Sequence, residues 1–269
     1  KNNFQFFFGV PIETAMKLYV DIGNNTISMF DFLMAIHFLR HYPKVKEGAI
    51  QWCVTEYSYC TAIWNAIGLL AQLKSIDMEL RFCQEPPTKI FQCMLSIVDA
   101  SEFEVLAPQD WYEQKRFYSN KKKLHGVKYQ FIVRASDGYF LHCSDMYPVS
   151  VYDVKLWYDW LDANESTLLS SEVVGADKGY VGGRRCYTPY KAKPNTPLTA
   201  DQKSFNFAFG QVRCIVEQSI QRLKIFEALH SVWRHDFSYH PLAVKAAANI
   251  VNYTLTNAPI RIENKFLTK

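Results

Sequence analysis

Two short apolar runs in this chain end on aspartate. Residues 93–98 (CMLSIV) lead to Asp99, and residues 172–176 (EVVGA) lead to Asp177. Each run has the length of a buried strand, and carboxylates at strand ends can converge on one side of a sheet. Glu217 lies in a helical stretch, with Arg213 four residues before it and Lys224 seven after, on one face. Three or four acids brought together bind hard divalent cations, which prefer oxygen ligands. Two such ions about 3.5–4 Å apart clamp the attacking and leaving oxygens of a phosphodiester. Asp99, Asp177 and Glu217 are therefore the candidate catalytic and metal-binding residues, with Asp153 a fourth candidate ligand. Each has a plainer alternative. A strand-end Asp serves as a turn residue, Arg213–Glu217 as an i,i+4 ion pair, and Ser150 with Asp153 as a capping box.

The surrounding elements must bring these acids together. The first 92 residues read as helical. Residues 31–41 carry an apolar stripe that stops before Pro43, residues 45–53 form a short segment, and Ser58 suits the N-cap of a helix over 59–73. That outline is a helix-turn-helix or a small packing domain; its last helix has few basic residues. Pro86-Pro87 marks a boundary, giving a helical domain over 1–92 and a catalytic domain over 93–269. Val127–Ala135 and Tyr139–Cys143 flank Ser136-Asp137-Gly138, a hairpin signal. A helix is expected from Ser150, a loop over 178–199, a long helix over 201–229 and a last one over 241–257. The order describes an α/β catalytic half behind an all-helical front.

Of 269 residues, 49% are hydrophobic and 21% charged, a folded balance rather than a disordered one. The net charge of +4 hides an asymmetry: residues 1–112 carry −4 and residues 113–269 carry +8, which suits a polyanionic partner. No run of about 18 uncharged apolar residues is present, which excludes a spanning helix. The opening KNNFQFFFGV lacks the order of a signal peptide, and Lys1 in place of Met leaves room for a preceding segment. The seven cysteines form no CxxC and mostly sit in apolar runs, so buried reduced thiols of an intracellular protein are expected, not a zinc site. Trp111, Tyr112 and Tyr118 are read as core residues, with base stacking as the alternative.

Four motifs then appear in order: "IVDASEFEV" with Asp99, "PVSVYD" with Asp153, "GADKGY" with Asp177, and "VRCIVEQSIQRLK" with Glu217. With the hairpin "GVKYQFIVRASDGYF" and the stretch "KPNTPLTADQKSFN", they resemble the DDE transposases of the PIF/Harbinger superfamily. The likeness extends to "FLRHYP" in the front half, and the Arg213–Glu217–Lys224 spacing matches the bacterial relatives of that superfamily. Departures are Val149 where the family prefers Gly, Tyr152 where it prefers His, and Gly210 where the bacterial pattern has Tyr.

The resemblance implies an RNase H-like core, a mixed sheet flanked by helices, carrying Asp99, Asp177 and Glu217. Those acids would hold two Mg²⁺ ions, or Mn²⁺, with Asp153 as an accessory ligand. The implied reaction is phosphodiester hydrolysis at transposon ends followed by strand transfer into target DNA. Phosphate contacts would come from Lys121, Lys122, Lys123 and Lys128 around the hairpin. Arg184, Arg185, Lys191 and Lys193 in the loop, with Arg213 and Lys224, would add more. A solvated loop is the plainer reading of each basic run. The family further implies a homodimer or larger assembly, a Myb-like accessory DNA-binding protein and a nuclear location. A domesticated DNA-binding or scaffold derivative and a stand-alone metal-dependent nuclease are the competing functions.

Overall fold

The computed structural model describes residues 2–23, 26–84, 91–194 and 196–260; the Pro86-Pro87 boundary lies outside them. Five helices come first: α1 (Asn2–Phe8), α2 (Ile12–Asp21), α3 (Met29–His41), α4 (Val45–Gln51) and α5 (Glu56–Ala71). Tyr42 ends α3 in a left-handed conformation, where Pro43 forbids continuation. The N-cap of α5 is Thr55 rather than Ser58: Thr55 Oγ1 accepts the Ser58 N–H at 3.1 Å. A threonine three residues upstream satisfies the first free N–H groups, so the helix starts earlier than its apolar stripe.

The sheet is built on β1 (Ser96–Glu104) and β3 (Leu124–Arg134), paired antiparallel along nine residues. β3 is buried from Gly126 to its end, as a central strand covered on both faces must be. β2 (Tyr118–Ser119), β4 (Phe140–Cys143) and β5 (Tyr147–Pro148) pair with β3, while β6 (Val174–Ala176) runs parallel to β1 and β7 (Cys186–Tyr187) parallel to β6. Gly138 closes the expected β3–β4 hairpin at φ +78°, where a side chain would be strained. Asp99 does not end its strand. Residues 101–104 alternate buried and half-buried positions opposite residues 126–129, so β1 continues through the acid.

Helices cover both faces. Val98, Ile132, Leu141, Val174 and Ala176 pack against Trp157, Trp160 and Leu161 of α7 (Asp153–Asn164). On the other face, Ile97, Phe103, Phe131 and Val133 join α8 (Ala200–Leu223) and α9 (Tyr239–Asn257) in a core that continues into α2, α3 and α5. α8 starts on a Thr199/Gln202 capping box and ends at Leu223, six residues before the expected end, because the chain turns there to bury Phe226 and Leu229. This mixed sheet between helical layers, behind an N-terminal helical region, is consistent with the RNase H-like architecture expected. No helix among the described residues is long and apolar enough to cross a membrane.

Two buried polar joints tie the front segment to the sheet half. Arg81 donates from Nε to Glu172 Oε1 at 2.9 Å, with its other nitrogens on the carbonyls of Met78 and Thr167. Asn252 of α9 bonds both the N–H and C=O of Phe140 and the Ser75 carbonyl. The cysteines are all free, but Cys143 alone is fully buried; Cys53, Cys83 and Cys93 are exposed. Cys53 and Cys93 lie in turns and Cys83 closes a 3-10 helix, so the neighbouring apolar residues do not carry these thiols inward.

The Arg81–Glu172 side chains are 0% and 1% exposed. Glu172→Ala leaves the guanidinium buried without its counter-charge and is expected to lower unfolding stability by about 3–5 kcal/mol, read from urea denaturation. Glu172→Gln, which keeps a hydrogen-bond acceptor, loses less.

Candidate functional site

The parallel pairing of β1 with β6 is what assembles the acids. Val98 stands beside Ala176, so one residue further along the same register Asp99 meets Asp177. Asp177 follows β6 directly and caps a short 3-10 helix, Lys178–Tyr180, accepting the Gly179 N–H at 2.7 Å. Asp153 arrives from the other side. It is the first residue of α7, and its carboxylate faces that of Asp177 across Gly179. A Cβ on this glycine would come within 2.9 Å of Asp177 Oδ1 and 3.2 Å of Asp153 Oδ2. Only a residue without a side chain leaves both carboxylates room.

Burial, reinforced by the charges of Asp177 and Asp153, lifts Asp99 from 3.8 to about 6, although the Ala100 N–H and the Arg213 guanidinium pull it back. The three aspartates thus share one electrostatic field. Among the described residues, however, no three acidic, His or Cys side chains converge as placed to hold one ion. Each is engaged separately: Asp99 by the Ala100 N–H, Asp177 by Gly179, Asp153 by Lys128 and Glu217 by Arg213. The three aspartates nonetheless offer only oxygen donors, and their mutual repulsion is what a dication relieves, so their chemistry fits a hard divalent metal; Glu217 is linked to them through Arg213, which acts on both it and Asp99.

The capping-box reading of Asp153 is overturned. The helix starts at Asp153 with Tyr152 as an N-cap lacking a side-chain bond, and the carboxylate instead accepts Lys128 Nζ at 2.8 Å. Lys128 is correspondingly not a solvated phosphate contact: it is 7% exposed and also donates to the Val151 carbonyl. No local pattern signals this pair, whose members lie 25 residues apart. The i,i+4 reading of Arg213 and Glu217 holds in geometry, at 2.7 Å, with Glu217 half exposed.

The basic candidates separate into two groups. Arg184 pairs with Asp162 and Glu165, while Arg185 pairs with Glu165 and donates to the Leu169 and Ser170 carbonyls. The Gly182-Gly183 turn brings both guanidiniums back onto the end of α7 and the loop after it, where Arg185 is held by backbone carbonyls while Arg184 stays 54% exposed. Lys121, Lys123, Lys191 and Lys193 are exposed and make no ion pair among the described residues. Lys122 pairs with Glu102 at 3.6 Å. Lys224 caps the end of α8 with its ammonium 5.4 Å above the Phe103 ring, and burial lowers its pKa while Glu102 and Asp99 oppose that.

Two features escaped the sequence. Tyr180 is buried beneath the aspartates with its hydroxyl 3.5 Å from Gln130 Oε1, while Gln130 Nε2 has no partner. Trp111 and Tyr112, expected in the core, are 66% and 74% exposed on α6 (Trp111–Phe117), which buries only Phe117.

Residues 98–252 match the family described as DDE superfamily endonuclease. The chain is 26% identical over 227 residues to a probable transposase for insertion sequence element IS702 from Microchaete diplosiphon, covering 83% of this chain and 79% of that protein. No solved structure matches it.

The repulsion has a measurable consequence. Asp99→Asn is expected to raise stability at pH 7 in EDTA by about 1–2 kcal/mol. The folded carboxyl is raised above its unfolded value, so the penalty is complete above about pH 6 and gone below about pH 4. Urea curves at both pH values check this; an equal gain at both would sink it.

Proposed function

The chain belongs to the DDE superfamily endonucleases, and from that premise we propose that it is a DNA transposase, cutting phosphodiesters at element ends and joining the freed ends to target DNA. The observation that carries this reading is the meeting of Asp99, Asp153 and Asp177, from β1, the start of α7 and the end of β6, in one field. DDE endonucleases generally work with divalent metal ions; here Asp99, Asp177 and Glu217 would hold them, with Asp153 as an accessory ligand, and Mg²⁺ or Mn²⁺ suits the oxygen donors. When bound, the ions make water nucleophilic near neutral pH and stabilise charge on the phosphate.

The protein's own residues do the rest. The sheet register holds Asp99 and Asp177 side by side before any ligand arrives. Lys128 keeps Asp153 turned toward them. Arg213 sits between Asp99 and Glu217, and a DNA phosphate competing for its guanidinium would release Glu217 to the site. Exposed Lys121, Lys123, Lys191 and Lys193 supply phosphate contacts without reading sequence. Hydrolysis breaks the bond to the 3′ oxygen, which leaves as a 3′-hydroxyl, and that hydroxyl then attacks a target phosphodiester through the same site.

Within this family, the ordered motifs around Asp99, Asp153, Asp177 and Glu217 support membership of the PIF/Harbinger superfamily. That assignment carries with it a dimer or larger assembly, a Myb-like accessory protein and work in the nucleus. The division into a helical region over 1–92 and a catalytic region over 93–269 rests on the Pro86-Pro87 boundary and the change of sequence character after it.

Incubating the protein with Mg²⁺ and labelled DNA bearing the terminal repeats that flank its gene tests the reading. Wild type is expected to cut and join, with Asp99→Ala and Glu217→Ala both reduced to background. Cutting without joining would favour a nuclease, and DNA binding without cutting a scaffold. Independently of activity, Mg²⁺ or Mn²⁺ is expected to raise the melting temperature of wild type but not of Asp177→Asn.

A further inference from the structure

Beside the acidic site lies an open groove of about 910 Å³, reaching from Asp153 to Trp111 along α6 and the β2–β3 turn. Its composition differs from that of a duplex-binding surface. Trp111, 66% exposed, projects from α6, and Tyr152, 81% exposed, stands immediately before Asp153. Both line the groove, with Tyr118 between them in sequence. Exposed hydrophobic residues scattered singly are ordinary, but these two line one groove. Tyr112 packs edge-on against Trp111, with ring centroids 5.3 Å apart, which steadies the indole. The cations of the groove are also distinctive: Lys115 and Lys121 line it without an ion pair among the described residues, whereas its acids Glu102 and Asp153 are paired with Lys122 and Lys128.

Exposed aromatic rings interleaved with free lysines are what a single nucleic-acid strand requires. Bases stack on the rings irrespective of sequence, and ammonium groups follow the phosphates. A duplex offers no unstacked base to such rings. We infer that this groove seats an unpaired DNA strand, with Trp111 and Tyr152 stacking on its bases and Lys115 and Lys121 contacting its phosphates, next to the acids. The inference deepens the transposase reading and rests on it for the identity of the ligand. It gives the protein a means of holding a frayed strand end at Asp153 while the rest of the DNA lies on the basic surface.

The probe is a fluorescein-labelled (dT)12, compared with a duplex of equal length, by anisotropy in EDTA at low salt. Trp111→Ala and Tyr152→Ala are each expected to weaken (dT)12 binding about tenfold, with Trp111→Phe close to wild type and duplex binding unchanged in all three. Both side chains are exposed, so the melting temperature should not move, and it serves as the folding control. Unaltered (dT)12 binding in both alanine variants would overturn the inference. So would an equal loss for single strand and duplex, which would make the groove ordinary basic surface. If wild type never cuts DNA yet its (dT)12 binding depends on Trp111, the transposase reading fails and the groove stands.

Discussion

Everything in this molecule turns on holding like charges together. Asp99, Asp153 and Asp177 repel one another in a half-buried place, and burial, with that repulsion added to it, displaces the first of them upward to about 6. No local interaction would bring them there. The parallel pairing of β1 with β6 imposes it, because a hydrogen-bonded register is rigid over the length of a carboxyl group and its cost is spread over the whole sheet. The sheet is in turn clamped between α7 and the α8–α9 layer, so relaxing the repulsion by sliding β6 would expose Val174 and Ala176. A folded core large enough to absorb that penalty is the condition for having the site at all.

The electrostatic surroundings are distributed with the same economy. Lys128 and Arg213 each neutralise one acid at the edge of the cluster, leaving Asp99 and Asp177 facing each other with only backbone N–H groups as partners. Arg184 and Arg185 pair with acids at the end of α7, Arg185 mostly buried and Arg184 still open to solvent. The excess positive charge of the back half therefore divides between internal struts and a smaller set of free lysines. A net charge counted from sequence treats the two alike, although only the second can displace counterions from DNA.

The N-terminal helices have a structural part that their outline alone does not express. α3, α4 and α5 follow one another as a helix-turn-helix would, yet α5 buries Ile63, Ile67 and Leu70 in the core shared with α9. Through Asn249 and Asn252, α9 then reaches the Leu70 carbonyl, Ser75 and Phe140. Front and back segments thus buttress one sheet, and the Arg81–Glu172 pair fixes the connection beside β6, close to the strand that carries the acids. The region's packing onto the sheet half bears on how steadily Asp177 is held.

Most of the elements were legible because each rests on local signals. The hairpin followed from Ser136-Asp137-Gly138 between apolar runs, α8 from spaced apolar residues behind Thr199, and the mixed α/β class from their order. The acids could be singled out as candidates for the same reason: an aspartate directly after a short apolar run is visible within six residues. Boundaries were less legible where a tertiary contact outweighed periodicity, as when Phe226 entered the core and stopped α8, or when pairing with β3 carried β1 past Asp99. The sequence by itself determined which side chains are available for metal and phosphate chemistry, and on which kinds of element they ride. Only the tertiary structure decided which of them meet. Asp99 beside Asp177, Lys128 on Asp153, and Trp111 in the groove of Tyr152 are contacts across 25 to 78 positions of chain. They are set by strand register and helix docking, energies that belong to the whole fold and leave no local trace in the order of residues.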